Sequence, residues 1–96
     1  MRRVLVADHH QLVLDALADL IADTPGMELV AVAATAEDAI ESARATRPDV
    51  VLVDVDSAGF GNGQIADFIG EILPDARIIR LSVLGNSVPR DIHEML

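Results

Sequence analysis

The 96 residues contain no cysteine, tryptophan, tyrosine or lysine. Without cysteine there is no disulfide, no thiolate nucleophile and no cysteine-based zinc site. Two phenylalanines are too few to build a platform on which nucleic-acid bases stack. Basic side chains are also scarce: seven arginines against 16 acids leave a net charge of −9 and a pI near 4.4. A domain this acidic repels phosphate backbones and anionic lipid, so neither nucleic acid nor a membrane is an expected direct partner. No apolar run approaches the ~20 residues of a membrane span. The apolar run between Arg3 and Asp8 is too short for a secretory signal, so a cytoplasmic chain is expected.

What the sequence does have is aliphatic: 14 Ala, 11 Val, 11 Leu and 8 Ile. With a mean hydropathy of +0.37, the composition is that of a folded domain. The length suits one small core, so residues 1–96 are expected to form a single domain. Apolar runs and helical periods alternate along it. Val4-Leu5-Val6-Ala7 reads as a buried strand ending at Asp8. Gln11, Asp15, Asp19 and Asp23 fall every fourth residue, one solvent stripe of a helix whose buried side carries Val13, Leu17, Leu20 and Ile21. After Pro25-Gly26 a second run covers Leu29 to Ala34. Thr35 followed by Asp38 predicts a capped helix start, with Ile40 and Ala43 inward and a stop at Arg47-Pro48. Val50 to Val53 is the strongest strand and ends at Asp54. The glycine-rich stretch 57–63 is expected to be flexible. Ile65, Phe68, Ile69 and Ile72 mark a third helix ended by Pro74, and Arg77 to Ser82 is a fourth strand. Ser87-Val88-Pro89 opens a fourth helix.

This alternation predicts a doubly wound parallel α/β sheet with helices on both faces. Functional groups in such sheets collect at the carboxyl ends of the strands. Asp8 with His9, Asp54 and Ser82 all stand there, and a flavodoxin-like order makes strands one and three neighbours. Two carboxylates in one crevice repel unless a cation lies between them, and Mg²⁺ suits oxygen donors of this kind. A carboxylate beside such a cation can attack a phosphoryl donor and hold the group as an acyl phosphate. A hydroxyl at Ser82 can then donate to a phosphoryl oxygen. Competing readings are weaker. Val13 stands where a cobalamin site beginning Asp-x-His needs glycine. Gly59, Gly61 and Gly63 follow the third strand rather than the first, which argues against a dinucleotide cradle. No base lies near Ser82 in sequence to make it a nucleophile. The acidic stripe reads as a solvated face, and as a docking surface for a basic partner in its functional version.

Val4 to His10, Arg47-Pro48-Asp49 through Asp54, and Leu73-Pro74-Asp75 through Ser82 together resemble the receiver domain of two-component response regulators. The phrasing is most similar to the subfamily carrying a LuxR/NarL-type helix-turn-helix. The resemblance implies a flavodoxin-like sheet of order 2-1-3-4, with the family's fifth strand and helix absent from these residues. It also implies that Asp54 accepts a phosphoryl group, that Asp8, Asp54 and the backbone carbonyl of Asp56 hold Mg²⁺, and that Ser82 is the switch hydroxyl. The partner implied is a histidine kinase, and the role is regulatory rather than enzymatic, with self-catalysed phosphorylation the only chemistry. The chain departs from the family in three ways. His9 replaces the second acid, Ser57-Ala58 replaces the usual Met-Pro, and no lysine is present to pair with the phosphoryl group. Mg²⁺ binding is therefore expected to be weak. Two accounts of the end stay open: a segment of a longer regulator that also carries a DNA-binding domain, or a four-stranded form with Arg80 on an edge strand. The alternative function is a phosphorylation-independent module that dimerises or binds a partner.

Overall fold

The computed structural model describes residues 1–56 and 58–82, and the side chains at all of these except 58, 61 and 62. The elements are β1 (Arg2–Ala7), α1 (Gln11–Ala22), β2 (Met27–Ala33), α2 (Ala36–Thr46), β3 (Val50–Asp54), a 3₁₀ helix over Ala58–Gly63, α3 (Gln64–Ile72) and β4 (Arg77–Leu81). The helix expected from Ser87 onward lies outside the described residues. The strands form one parallel sheet in the order β2-β1-β3-β4, as the alternation predicts.

β1 and β3 are central and covered on both faces, which is why they read as unbroken apolar runs instead of alternating ones. Val4, Val6, Val50 and Leu52 face α1 and pack with Leu14, Leu17, Ile21, Ile79 and Leu81. Leu5, Ala7, Val51 and Val53 point the other way and pack with Ala39, Ala43, Phe60, Ala66 and Ile69. The alanines of α2 let that helix lie close on the sheet. Its first turn is held by Thr35, whose side chain accepts from the Asp38 backbone N–H at 3.1 Å. Its far end is held by Arg3 of β1, whose Nη1 donates to the carbonyls of Thr46 (2.5 Å) and Arg47 (3.3 Å). Those are carbonyls that a helix terminus leaves without an intrahelical donor.

Several details differ from expectation. Leu14 is buried in α1, while Val13 and Leu20 only flank the core. Phe68 is 36% exposed, because Ala66 and Ile69 occupy the inner face of α3. Its ring lies instead on the seam with α2, where the Arg44 guanidinium sits 5.7 Å from the ring centroid. The glycine-rich stretch forms the 3₁₀ helix because Phe60 is buried in the core and pins it. β2 starts two residues early, at Met27. No helix of the described residues is long and apolar enough to cross a membrane.

Candidate functional site

β1 and β3 are adjacent and in register, Ala7 opposite Val53, so the residues that follow, Asp8 and Asp54, emerge side by side at the carboxyl edge of the sheet. Both are buried, at 0% and 1% exposure. Each is fixed by the same local device. One carboxylate oxygen of Asp8 accepts from the backbone N–H of His10 at 2.7 Å, and one of Asp54 accepts from that of Asp56 at 2.8 Å. A short acid bonding the N–H two residues on is an Asx turn, a stable way for a strand to bend into its loop. The turn leaves the second oxygen of each carboxylate inside the crevice.

The turn at Asp8 also decides which histidine joins the site. His10 is the N-cap residue of α1 in extended conformation, and its Nδ1 lies 3.0 Å from Asp8 Oδ1 and 3.8 Å from Asp54 Oδ2. Ligand atoms of Asp8, His10 and Asp54 all fall within 4.8 Å of one another. His9, expected beside the site, is exposed, and its ring stands edge-on to that of His10 at 5.7 Å. Composition and period give His10 no role. The signal that identifies it is the two-residue reach of an Asx turn, which folds position 10, not position 9, back over the acid.

Ser82 follows β4 on the far side of β3. Its hydroxyl donates to Asp56 Oδ2 at 2.7 Å, so a side chain of the loop after β3 holds the end of β4. Arg80 is exposed on β4. It pairs with Asp67 and donates to the Gly63 carbonyl at 3.3 Å. Gly63 caps α3 at φ +97°, and a Cβ there would stand 3.2 Å from Arg80 Nη1, so both backbone and space call for glycine.

The residues fit a divalent cation. Two buried carboxylates within 4.8 Å repel each other by about 3 kcal/mol at an effective dielectric near 20. Asp8 Oδ2 is buried with no hydrogen-bond partner among the described residues. A cation would relieve both costs, and oxygen donors of this kind suit a hard divalent ion.

No protein-family model matches the chain. Over 83 residues, 86% of its length, it is 35% identical to response regulator GacA of Pseudomonas viridiflava, of which it spans 39%. It is 34% identical over 83 residues to response regulator UvrY of Escherichia coli (strain K12), of which it spans 38%. The chain thus covers about two fifths of the length of these curated relatives. Among solved structures, a LuxR-family two-component response regulator from Aurantimonas sp. SI85-9A1 superposes with a TM-score of 0.76 at 32% identity, covering 85% of this chain and 59% of that one. The response regulator domain of Thermotoga maritima CheB gives 0.76 at 26% identity, over 98% and 69%.

Proposed function

Because the chain belongs to the receiver domains of response regulators, we propose that it is the phosphoryl-accepting regulatory module of a two-component transcription regulator. The observation that carries this reading is the pairing of buried Asp54 with Asp8 at the ends of neighbouring strands. A histidine kinase, hence a cytoplasmic setting, supplies the group. A carboxylate oxygen of Asp54 forms the new O–P bond as the N–P bond of a phosphohistidine breaks, and the departing imidazole takes up a proton. Mg²⁺ held by Asp8, Asp54 and the Asp56 carbonyl would neutralise charge on the transferring group. The turn to the Asp56 N–H orients the Asp54 carboxylate, and the burial of both acids limits water at the acyl phosphate. Ser82 reads the outcome. Its hydroxyl leaves Asp56 Oδ2 for a phosphoryl oxygen, pulling the end of β4 toward Asp54. That movement of β4 passes the signal to a DNA-binding domain.

The test is direct. Incubation of the purified chain with Mg²⁺ and acetyl phosphate should add one phosphoryl mass to wild type and none to Asp54→Asn by intact mass spectrometry. Equal labelling of both proteins would remove Asp54 from the role. A second reading is favoured by the engagement of Arg80 at the start of α3. In it the domain self-associates or binds a partner without phosphorylation. A wild type that stays unlabelled yet dimerises would support it.

A further inference from the structure

Asp8, His10 and Asp54 form a mixed nitrogen and oxygen donor set, which differs chemically from an all-oxygen acidic site. We propose that His10 Nδ1 is a direct ligand of the cation held there. The site would then select a first-row transition dication of the Zn²⁺ or Co²⁺ type over Mg²⁺. This rests on the reading of Asp8 and Asp54 as a cation site, and is independent of whether Asp54 accepts a phosphoryl group.

Three observations carry it. His10 Nδ1 stands 3.0 Å from Asp8 Oδ1 and 3.8 Å from Asp54 Oδ2. The first is a hydrogen bond that turns the ring toward the acids; ligands about 2.0–2.1 Å from one ion lie roughly 3 to 3.4 Å apart in octahedral or tetrahedral arrangements, so the separation from Asp54 needs only a small adjustment. Asp8 Oδ2 is buried without a partner among the described residues, which leaves a carboxylate oxygen for an ion even while Oδ1 holds the turn. The position beside Asp8 that could add an oxygen donor is His9, and that side chain is exposed. The side-chain donor set is therefore two carboxylates and one imidazole, beside the Asp56 carbonyl. Imidazole suits zinc, cobalt and similar ions, whereas Mg²⁺ strongly prefers oxygen and retains its waters. With the Asp56 carbonyl these make four protein ligands, and five-coordination leaves a further position for water or a phosphoryl oxygen. With the cation bound, Nδ1 carries the lone pair and the proton resides on Nε2, a tautomer that the 52% exposed ring can present to solvent.

The test measures binding of Mg²⁺, Co²⁺ and Zn²⁺ to the unphosphorylated chain by calorimetry, alongside His10→Asn, His9→Asn and Asp54→Asn. Asn is a favoured helix N-cap, so His10→Asn retains the start of α1, and circular dichroism verifies its fold. Wild type should bind Co²⁺ and Zn²⁺ more tightly than Mg²⁺, by a wider margin than His10→Asn does. Loss of an outer-shell partner already costs about tenfold in metal affinity, so His10→Asn should weaken Co²⁺ and Zn²⁺ at least that much while leaving Mg²⁺ unchanged. His9→Asn should bind as wild type, and Asp54→Asn should lose all three ions. Zn²⁺ should also shift the ¹⁵N resonance of His10 Nδ1 far more than that of Nε2. Equal affinity for Mg²⁺ and Zn²⁺, a silent His10→Asn variant, or an equal loss in His9→Asn would each overturn the proposal. Absent phosphorylation with intact, His10-dependent Zn²⁺ binding would sink the phosphoryl-acceptor reading alone.

Discussion

Asp8 and Asp54 each divide their two oxygens between structure and chemistry. One oxygen of each closes an Asx turn, which fixes where the carboxylate sits. In the absence of a cation the burial of both acids is a standing cost to the fold, and sites built for function commonly carry such a cost. Asp54→Asn keeps an oxygen able to accept from the Asp56 N–H while removing one of the two charges. In buffer containing EDTA the variant should therefore be more stable than wild type by about 1 kcal/mol, a fraction of the full repulsion because solvent and His10 screen it. For a domain of this size that raises the melting temperature by about 4–8 °C. Addition of the cation should then stabilise wild type and leave the variant unmoved. Calorimetry that finds Asp54→Asn unchanged or less stable in EDTA would show that the acids do not strain the fold.

At the scale of elements, what the sequence made legible depended on how local the physics is. The strands were readable because burial on both faces turns Val4–Ala7 and Val50–Val53 into continuous apolar runs. The alternation of strands and helices marked a parallel sheet, whereas its order, and with it the meeting of Asp8 with Asp54, came from the resemblance to receiver domains. The cap of α2 was equally plain. Thr35→Ala removes the acceptor for the Asp38 N–H and should cost about 1 kcal/mol. That appears as a lower urea midpoint at constant slope, and an unchanged midpoint would mean that Glu37 and Asp38 alone hold the first turn. Less legible were features set by tertiary neighbours. Phe68 has the period of a core residue, yet the small Ala66 occupies the inner face, and the seam with Arg44 exists only once α2 and α3 lie side by side. Phe60 sits among glycines that signal a loop, and only its burial turns that loop into a 3₁₀ helix. The roles of His9 and His10 hinge on a side chain bonding two residues onward, which composition and period do not encode.

Across the whole molecule, the charge is spread unevenly over an incompletely covered surface. Gln11, Asp15, Asp19 and Asp23 stay on the solvent side of α1 or just past its end, with Leu12 82% exposed among them. Among the described residues β2 and β4 are each paired on one side only, and each carries charge at exposed positions, Glu28 on β2, where Val32 is also exposed, and Arg77 and Arg80 on β4. Charged edges are a common way to discourage strand addition, and a net charge of −9 adds long-range repulsion between copies. Self-association of this chain, if driven by its apolar and edge surfaces, must therefore work against electrostatics. Salt settles the sign. The Debye length falls from about 30 Å at 0.01 M to about 8 Å at 0.15 M, so like-charge repulsion between two copies is largely removed across that range. Sedimentation velocity at fixed high protein concentration should show mainly monomer at the lower ionic strength and a growing dimer fraction at the higher one. Association that weakens with salt would instead assign the contact to pairing of the β4 arginines with acids of another copy. A monomer at both ionic strengths would remove self-association from the functions open to this domain.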